Sequence, residues 1–322
     1  MNSLTLNSMA TGLNSTTPIF LVGATASGKS AVAMELARKT GAAILAMDAM
    51  QVYRGADIGT SKPTAAERAE VPHGGLDLVD FGQNFDVAQY LKHAEDFLRE
   101  QREAGRRVIV VGGTGLYFRA LTRGLCEAPQ VPEELRAELN ALSTEELRER
   151  LRKVDSPMLE RLDAENPRRL VRAIEVMEST GKSLREWQDE TPEPLVREFS
   201  AYWIERHKME LAHRIEARVV EMFDNGWVEE VRKLVEQDGY EVVKRFPGIG
   251  YRDIAEMLEE AAQIPNAAEF LETEVQIVES EIQMTTRQYA KRQLTWFARE
   301  PNLQKVMLTG SQPLSEVLPF LP

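Results

Sequence analysis

The segment Gly23-Ala-Thr-Ala-Ser-Gly-Lys-Ser30 has the spacing Gly-x4-Gly-Lys-Ser, and residues of those types at that spacing hold phosphate. Glycines allow successive backbone N–H groups to turn inward. Those donors, a helix N-terminus and the Lys29 ammonium form a cradle for a diphosphate, with contributions from Gly23, Thr25, Ala26, Ser27 and Gly28. The Ser30 hydroxyl can ligate Mg²⁺. The loop specifies a polyphosphate without specifying ATP. In NTPases and kinases an apolar strand ending in Asp usually holds the magnesium. Here the β-branched run Val108–Val111 leads into Gly112-Gly-Thr-Gly115 and carries no carboxylate. The strand-terminal acid is Asp48, which follows the apolar run Ala42–Met47. At the carboxyl edge of a neighbouring strand it faces the phosphate crevice. There it can accept a proton from a nucleophile or serve a magnesium ion from the second shell, and its position alone leaves both roles open. Thr114 sits on a tight turn at the same edge.

Strands and helices in alternation must position these groups. Ile19–Val22 is a short apolar strand ahead of the loop, and a helical pattern through Ala31, Met34, Glu35 and Arg38 follows it to Gly41. A further strand is expected around Leu76–Val79. Asp86 then caps an amphipathic helix through Val87, Tyr90, Leu91, Ala94 and Leu98, ended by Gly105. This alternation predicts an α/β fold, a P-loop NTPase-like parallel sheet flanked by helices. From 124 to 196 strand signals vanish and charged helical stretches take over at 132–142, 144–154, 157–162 and 167–179. Phe199–Ile204 then returns as a strand. The expected organisation is a lead-in at 1–16, a catalytic core from 17–123 and 197–322, and an all-helical insertion domain between. The remainder, 209–299, reads as helices broken at Asn225-Gly226 and around Pro247–Gly250.

The composition limits the function classes. A net charge of −12 argues against a protein that coats nucleic acid non-specifically, since counterion release needs many aligned cations. A local basic groove remains compatible with it. The single cysteine, Cys126, excludes an intramolecular disulfide and a cysteine zinc cluster, and the histidines have no metal-ligand spacing. No apolar run approaches the ~18–20 residues that cross a bilayer, and the N-terminus lacks the pattern of a secretory signal. A reducing cytoplasm and no membrane association are expected, with a monomer as the simplest state.

Six ordered segments resemble one family, the bacterial tRNA dimethylallyltransferases or tRNA isopentenyltransferases. They are Gly23–Ser30, Asp48–Pro63, Gly112–Phe118, Asn166–Glu175, Gly248–Arg252 and Tyr289–Phe297. The resemblance implies transfer of a dimethylallyl group from dimethylallyl diphosphate to N6 of the adenosine 3′ of the anticodon. It also implies Mg²⁺ as cofactor and a tRNA anticodon stem-loop as partner. By the same resemblance Thr25, Ser27, Gly28, Lys29 and Ser30 hold the donor, Asp48 is the base, Thr114 lies by the reacting nucleotide, and Arg218 reaches the leaving diphosphate. Contacts to tRNA are implied for Asp48, Ala49, Met50, Gln51, Thr114, Arg136 and the run Arg168-Arg169-Leu170-Val171-Arg172. Two positions depart from the family pattern: Ala24 stands where proline is usual, and Ala49 where serine is common. A kinase with the insertion as lid, an adenylate isopentenyltransferase and a non-catalytic RNA-binding module are the competing readings. Arg287, Lys291, Arg292 and Arg299, interleaved with Tyr289, Trp296 and Phe297, form a second cationic stretch that either packs and solvates or meets RNA.

Overall fold

Short runs of apolar residues that are buried on both faces assemble the centre of the molecule. The computed structural model describes residues 16–125, 131–190 and 193–310. Cys126 and all of the expected lead-in except Thr16 lie outside the described residues. In chain order the first elements are β1 (Ile19–Val22), α1 (Lys29–Thr40), β2 (Ala43–Ala46), α2 (Ala65–Glu70) and β3 (His73–Gly74). Next come α3 (Val87–Glu103), β4 (Val108–Gly112), α4 (Gly115–Arg123), α5 (Glu133–Asn140), α6 (Thr144–Val154), α7 (Ser156–Leu159), α8 (Pro167–Thr180) and α9 (Leu184–Asp189). The chain then continues with β5 (Ser200–Arg206), α10 (Lys208–Asp224), α11 (Trp227–Asp238), α12 (Tyr240–Arg245), α13 (Tyr251–Ala261), α14 (Ala268–Phe297) and β6 (Gln304–Leu308).

The strands form a six-stranded sheet in the order β3-β2-β4-β1-β5-β6. Every pairing among the described strands is parallel. All residues of β1, β2 and β4 are buried, as strands covered on both faces require. Leu21 pairs with Val111 of β4 and Tyr202 of β5, so β1 lies at the middle and delivers the phosphate loop to the carboxyl edge. β2 pairs with β4, which brings Asp48 and Thr114 to that same edge.

Two compact units divide the chain: Met1–Phe118 with Val196–Pro322, and Arg119–Leu195. The second unit therefore begins within the residues of α4, where 124 was expected. Its core is built from Leu139, Leu147, Leu151, Met158, Leu170, Val171, Ala173 and Ile174, drawn from α5 to α8. Capping boxes at Ser143–Glu146 and Ser183–Glu186 start two of its helices.

The strand expected at Leu76–Val79 is instead β3 at His73–Gly74, and Val79 makes only an isolated bridge to Tyr53. The reason is local: Gly75 and Asp77 adopt φ of 80° and 53°, which breaks an extended chain. The helical C-terminal region breaks at Asn225-Gly226 and Pro247–Gly250 as expected, and also at Gly239 and 262–267. β6 escaped prediction because it is an edge strand in which only Leu308 is buried, and its apolar run, Val306–Leu308, is just three residues long.

Candidate active site

The phosphate loop links β1 to α1, with Gly28 in the left-handed region (φ 96°) as the residue before the helix. At the start of α1 the first N–H groups have no partner inside the helix, and they are the natural donors to an anion. Cationic side chains take up the loop's carbonyls. Lys29 Nζ donates to Ala24 O at 3.1 Å, Arg214 Nε to Ala26 O at 2.9 Å, and Arg206 Nε to Ser27 O at 2.9 Å. Ala24, the position of the missing proline, is buried and takes part through its carbonyl.

Arg218 projects from α10 to the same loop. Its Nε donates to Ser61 Oγ at 2.9 Å and its Nη1 to Thr25 Oγ1 at 3.2 Å. Nη2 has no protein partner among the described residues and remains available to a ligand. Burial, followed by the nearby Arg218 charge, lowers Lys29 from 10.5 to about 8, against an opposing pull from Asp48. Burial lowers Arg218 as well, with Asp48 opposing. Two cations held together in this way are short of an anion, and a diphosphate supplies one.

Asp48 follows β2, and its Oδ1 accepts from Met50 N at 2.8 Å, which fixes the carboxylate in a tight turn. Ala49 N donates to Thr114 Oγ1 at 3.3 Å. The link between these two motifs thus uses a backbone N–H, which Ala49 supplies as well as serine would. Gln51 Nε2 donates to Thr60 O and Ser61 O, at 3.0 and 3.1 Å, and so supports the loop that presents Ser61 to Arg218.

These groups open on one cavity of about 450 Å³. Thr25, Lys29, Ser30, Asp48, Thr114 and Arg218 all line it, as do Ala49, Met50 and Gln51. Its apolar wall includes Val219, Met222, Trp227, Ile249 and Ile282. A second cavity of about 940 Å³ is lined by Ala26, Gly28, Lys29, Ser30, Arg214 and Arg218. Lys29, Ser30 and Arg218 therefore stand between two openings.

Among the described residues no group of three or more His, Cys, Asp or Glu side chains could hold a metal. The exposed Ser30 hydroxyl lines both cavities beside Lys29, and the Ser27 hydroxyl is buried without a partner. That donor set fits a Mg²⁺ ion that would arrive with an anionic ligand, and among the described residues it does not form a cage of its own.

The residues of the second unit separate into two kinds. Arg168 and Arg169 are exposed at the start of α8, whereas Leu170 and Val171 are buried in the helical core. The side chains of Leu170 and Val171 thus hold α8 in place and cannot reach solvent. Arg136 grips the buried Glu175 carboxylate with bonds of 2.7 and 3.2 Å, and Arg172 Nη1 lies 3.7 Å from it.

Several supporting residues were not singled out from sequence. Gln293 of α14 accepts from Thr25 N at 2.8 Å and donates to Gly113 O at 3.0 Å, tying the phosphate loop to the Thr114 turn. A side chain at Gly113 would meet Gln293 Nε2 at 2.1 Å, so glycine is needed there for close approach. Lys62 is buried and donates to Tyr53 O, Asp57 Oδ1 and Asp77 Oδ1 at 2.5–2.6 Å. Glu230 accepts from the backbone N–H groups of Asp57, Ile58 and Gly59. Both secure the Asp57–Pro63 loop. Gln293 and Lys62 lie within segments that carry the resemblance, but nothing in a linear sequence shows which carbonyls such side chains reach.

A model of the IPP transferase family matches residues 51–300, and one described as isopentenyl transferase matches residues 18–75. The chain belongs to the IPP transferase family. Among its relatives, it is 43% identical to a tRNA dimethylallyltransferase of Methylacidiphilum infernorum, over 91% of this chain and 86% of that one. It is 40% identical to the Syntrophobacter fumaroxidans tRNA dimethylallyltransferase, over 88% and 82% of the two chains. Among solved structures, a tRNA isopentenylpyrophosphate transferase from Bacillus halodurans superposes with a TM-score of 0.64 at 28% identity, covering 95% of each chain. A eukaryotic dimethylallyltransferase acting on tRNA shares the fold, with a TM-score of 0.77 at 21% identity over 95% of this chain and 77% of that one. These family members place the phosphate loop, with its strand and helix, in a prenyltransferase and not in a kinase.

Proposed function

We propose that this protein is a tRNA dimethylallyltransferase that moves the five-carbon group of dimethylallyl diphosphate onto N6 of the adenosine 3′ of the anticodon. The observation that carries the reading is a single cavity on which a diphosphate cradle (Lys29, Arg218, Ser30) and a strand-end carboxylate (Asp48) both open. A kinase would place a carboxylate after β4, and this chain has Gly112-Gly113 there.

The exocyclic amine of adenine is a weak nucleophile because its lone pair is delocalised into the ring. The allylic carbon compensates as its bond to the diphosphate oxygen stretches and positive charge spreads over the allyl system. Lys29, Arg218 and the amides opening α1 stabilise the charge that builds on the departing diphosphate. Ser30 would hold Mg²⁺, which would supply further neutralisation of that charge. As the C–N bond forms and the C–O bond breaks, the N6 proton becomes acidic and passes to Asp48, whose Oδ1 is steadied by Met50 N. The carboxylate then returns the proton to solvent. The target base must leave the RNA stack to enter such a chamber, and Arg168 and Arg169 offer exposed cations to the RNA from the helical unit.

The test is incubation of the protein with Mg²⁺, labelled dimethylallyl diphosphate and unmodified tRNA, with AMP as an alternative acceptor and ATP as an alternative donor. Label in tRNA alone supports the reading. Label in AMP but not in RNA, or phosphoryl transfer from ATP, overturns it.

A further inference from the structure

Gly248–Arg252 is one of the six segments that carry the resemblance, yet its Tyr251 is fully buried and lines neither the 450 Å³ nor the 940 Å³ cavity. What Tyr251 touches is a carboxylate: its hydroxyl donates to Glu230 Oε1 at 2.7 Å. Glu230 in turn accepts from three successive backbone N–H groups. Asp57 and Ile58 donate to Oε2 at 2.8 and 2.6 Å, and Gly59 donates to Oε1 at 3.3 Å. Neighbouring N–H groups that converge on one point form an anion-binding nest, and the anion here is a side chain of α11. Trp227 closes the assembly. A Cβ at Gly59 would come within 2.2 Å of its indole and one at Gly250 within 2.4 Å, so these glycines admit the ring between the loop and the start of α13.

The nest ends where the donor cradle begins. Ser61 has a φ of 51°, a left-handed conformation that a residue with a Cβ keeps only where its surroundings impose it. Two bonds impose it here. Ser61 N donates to Ile58 O at 2.9 Å, and Gln51 Nε2 donates to the Ser61 carbonyl at 3.1 Å. Ile58 is the residue whose own N–H makes the shortest bond to Glu230. In this pose Ser61 Oγ accepts from Arg218 Nε at 2.9 Å, and Ser61 and Arg218 line both cavities. Hydrogen bonds therefore run without a gap from Tyr251 through Glu230, Ile58 and Ser61 to the guanidinium.

We infer that Glu230, steadied by Tyr251, is a positioning residue for the departing diphosphate, a role that rests on the proposed prenyl diphosphate donor. Glu230 fixes the turn at Ser61 and, through it, the direction in which Arg218 presents its remaining donors. Neither Glu230 nor Tyr251 lines a cavity, so neither touches the reacting atoms and the whole effect passes through Ser61.

The experiment is a double-mutant cycle. Glu230→Gln, Ser61→Ala and the two combined are compared for kcat/KM of the prenyl donor at saturating tRNA. The same proteins are compared for equilibrium binding of inorganic diphosphate, which needs no acceptor. Each single variant should lower kcat/KM by about tenfold, the worth of one hydrogen bond to a charged group. The double variant should lose little more than either single one, because both changes release the same guanidinium. KM for tRNA should stay at the parent value. Tyr251→Phe removes only an O–H, should repeat the pattern with a smaller loss, and supplies the same cycle with Ser61→Ala if Glu230→Gln does not fold. Losses that multiply to about a hundredfold in the double variant, as independent sites would give, overturn the positioning role. So does a loss that falls on KM for tRNA. A parent protein that transfers no prenyl group would instead remove the donor reading, while the diphosphate cycle still decides whether Glu230 acts through Ser61.

Discussion

Arg218 and Thr25 are joined by a 3.2 Å hydrogen bond from guanidinium Nη1 to hydroxyl Oγ1, although 193 residues separate them in sequence. This bond and the one to Ser61 hold the guanidinium at the loop and leave its remaining donors for phosphate. Arg218→Gln should therefore lower kcat by about 10²–10³-fold, the cost of removing one preorganised donor to developing negative charge. Arg218→Lys should recover only part of that loss, because a point charge cannot keep both bonds and a phosphate contact. Steady-state kinetics with saturating tRNA provides the measurement, and equal activity of the Gln variant and the parent would exclude Arg218 from leaving-group stabilisation.

Asp48 is predicted to act on the proton and not on the donor. Asp48→Ala and Asp48→Asn should reduce kcat by about 10²–10⁴-fold, the usual range for loss of a general base. Donor affinity, measured by equilibrium binding of a non-reactive diphosphate analogue, should change little. If both variants lost donor binding instead, the carboxylate would be serving the metal and phosphates.

Lys29 sets the response to alkaline pH. With the free-enzyme ammonium at about 8, kcat/KM for the donor should fall as pH rises past that value. A bound diphosphate favours the charged form, so kcat at saturating donor should hold to higher pH. The stability effect has the opposite sign. Between about 8 and 10.5 the unfolded chain binds more protons at this lysine than the folded one, so its contribution to stability rises with pH across that window. Lys29→Met should lack that rise in denaturant melts taken at successive pH values, and a parental rise in the variant would place the titration elsewhere.

Lys62 secures the loop beneath Ser61. Its ammonium is buried while Asp57 is largely exposed, so Lys62→Met should destabilise the fold by about 3 kcal/mol, at the low end for breaking a buried pair. Because Ser61 accepts from Arg218, KM for the donor should rise too. Burial raises Asp77, but bonds from Lys62 and Arg68 outweigh it and hold that carboxyl below its ordinary 3.8. The stability it contributes is present above that value and is lost as pH falls further, and the variant should lose less on acidification. Chemical denaturation at pH 7 and pH 3 tests both effects.

Gln293→Leu keeps the bulk of the side chain and removes both bonds, freeing Thr25 N and Gly113 O. Activity should fall by about tenfold or more, as when a reacting group is displaced by a fraction of an ångström. The loss should fall on kcat for both substrates together, since one side chain registers the donor loop against the acceptor turn. A loss confined to the donor KM would mean that only the loop depends on it.

The sequence made the donor half of the site legible because phosphate binding is local: a strand, a glycine turn and a helix start lie within Ile19–Thr40. Asp48 and Thr114 could be placed because parallel strands share a carboxyl edge. Arg206, Arg214, Gln293 and Glu230 could not be placed, since each acts on backbone groups far along the chain and leaves no local pattern. The strand expected at Leu76–Val79 failed for a related reason. Apolar residues there pack without extension, and the left-handed Asp77 turns its carboxylate to Lys62 and Arg68. On α8 the run Arg168–Arg172 read as one contact stretch, yet helical periodicity places its two apolar members in the core.

With Lys29, Arg206 and Arg214 already engaging the carbonyls of Ala24, Ser27 and Ala26, the phosphate loop has its shape before any donor arrives. Capture of the prenyl diphosphate then involves no ordering of the backbone, and little conformational entropy is lost in the encounter. Donor association should consequently proceed in one exponential phase with a rate proportional to concentration, and inorganic diphosphate, which presents the same anion without the hydrocarbon, should compete for the same preformed seat.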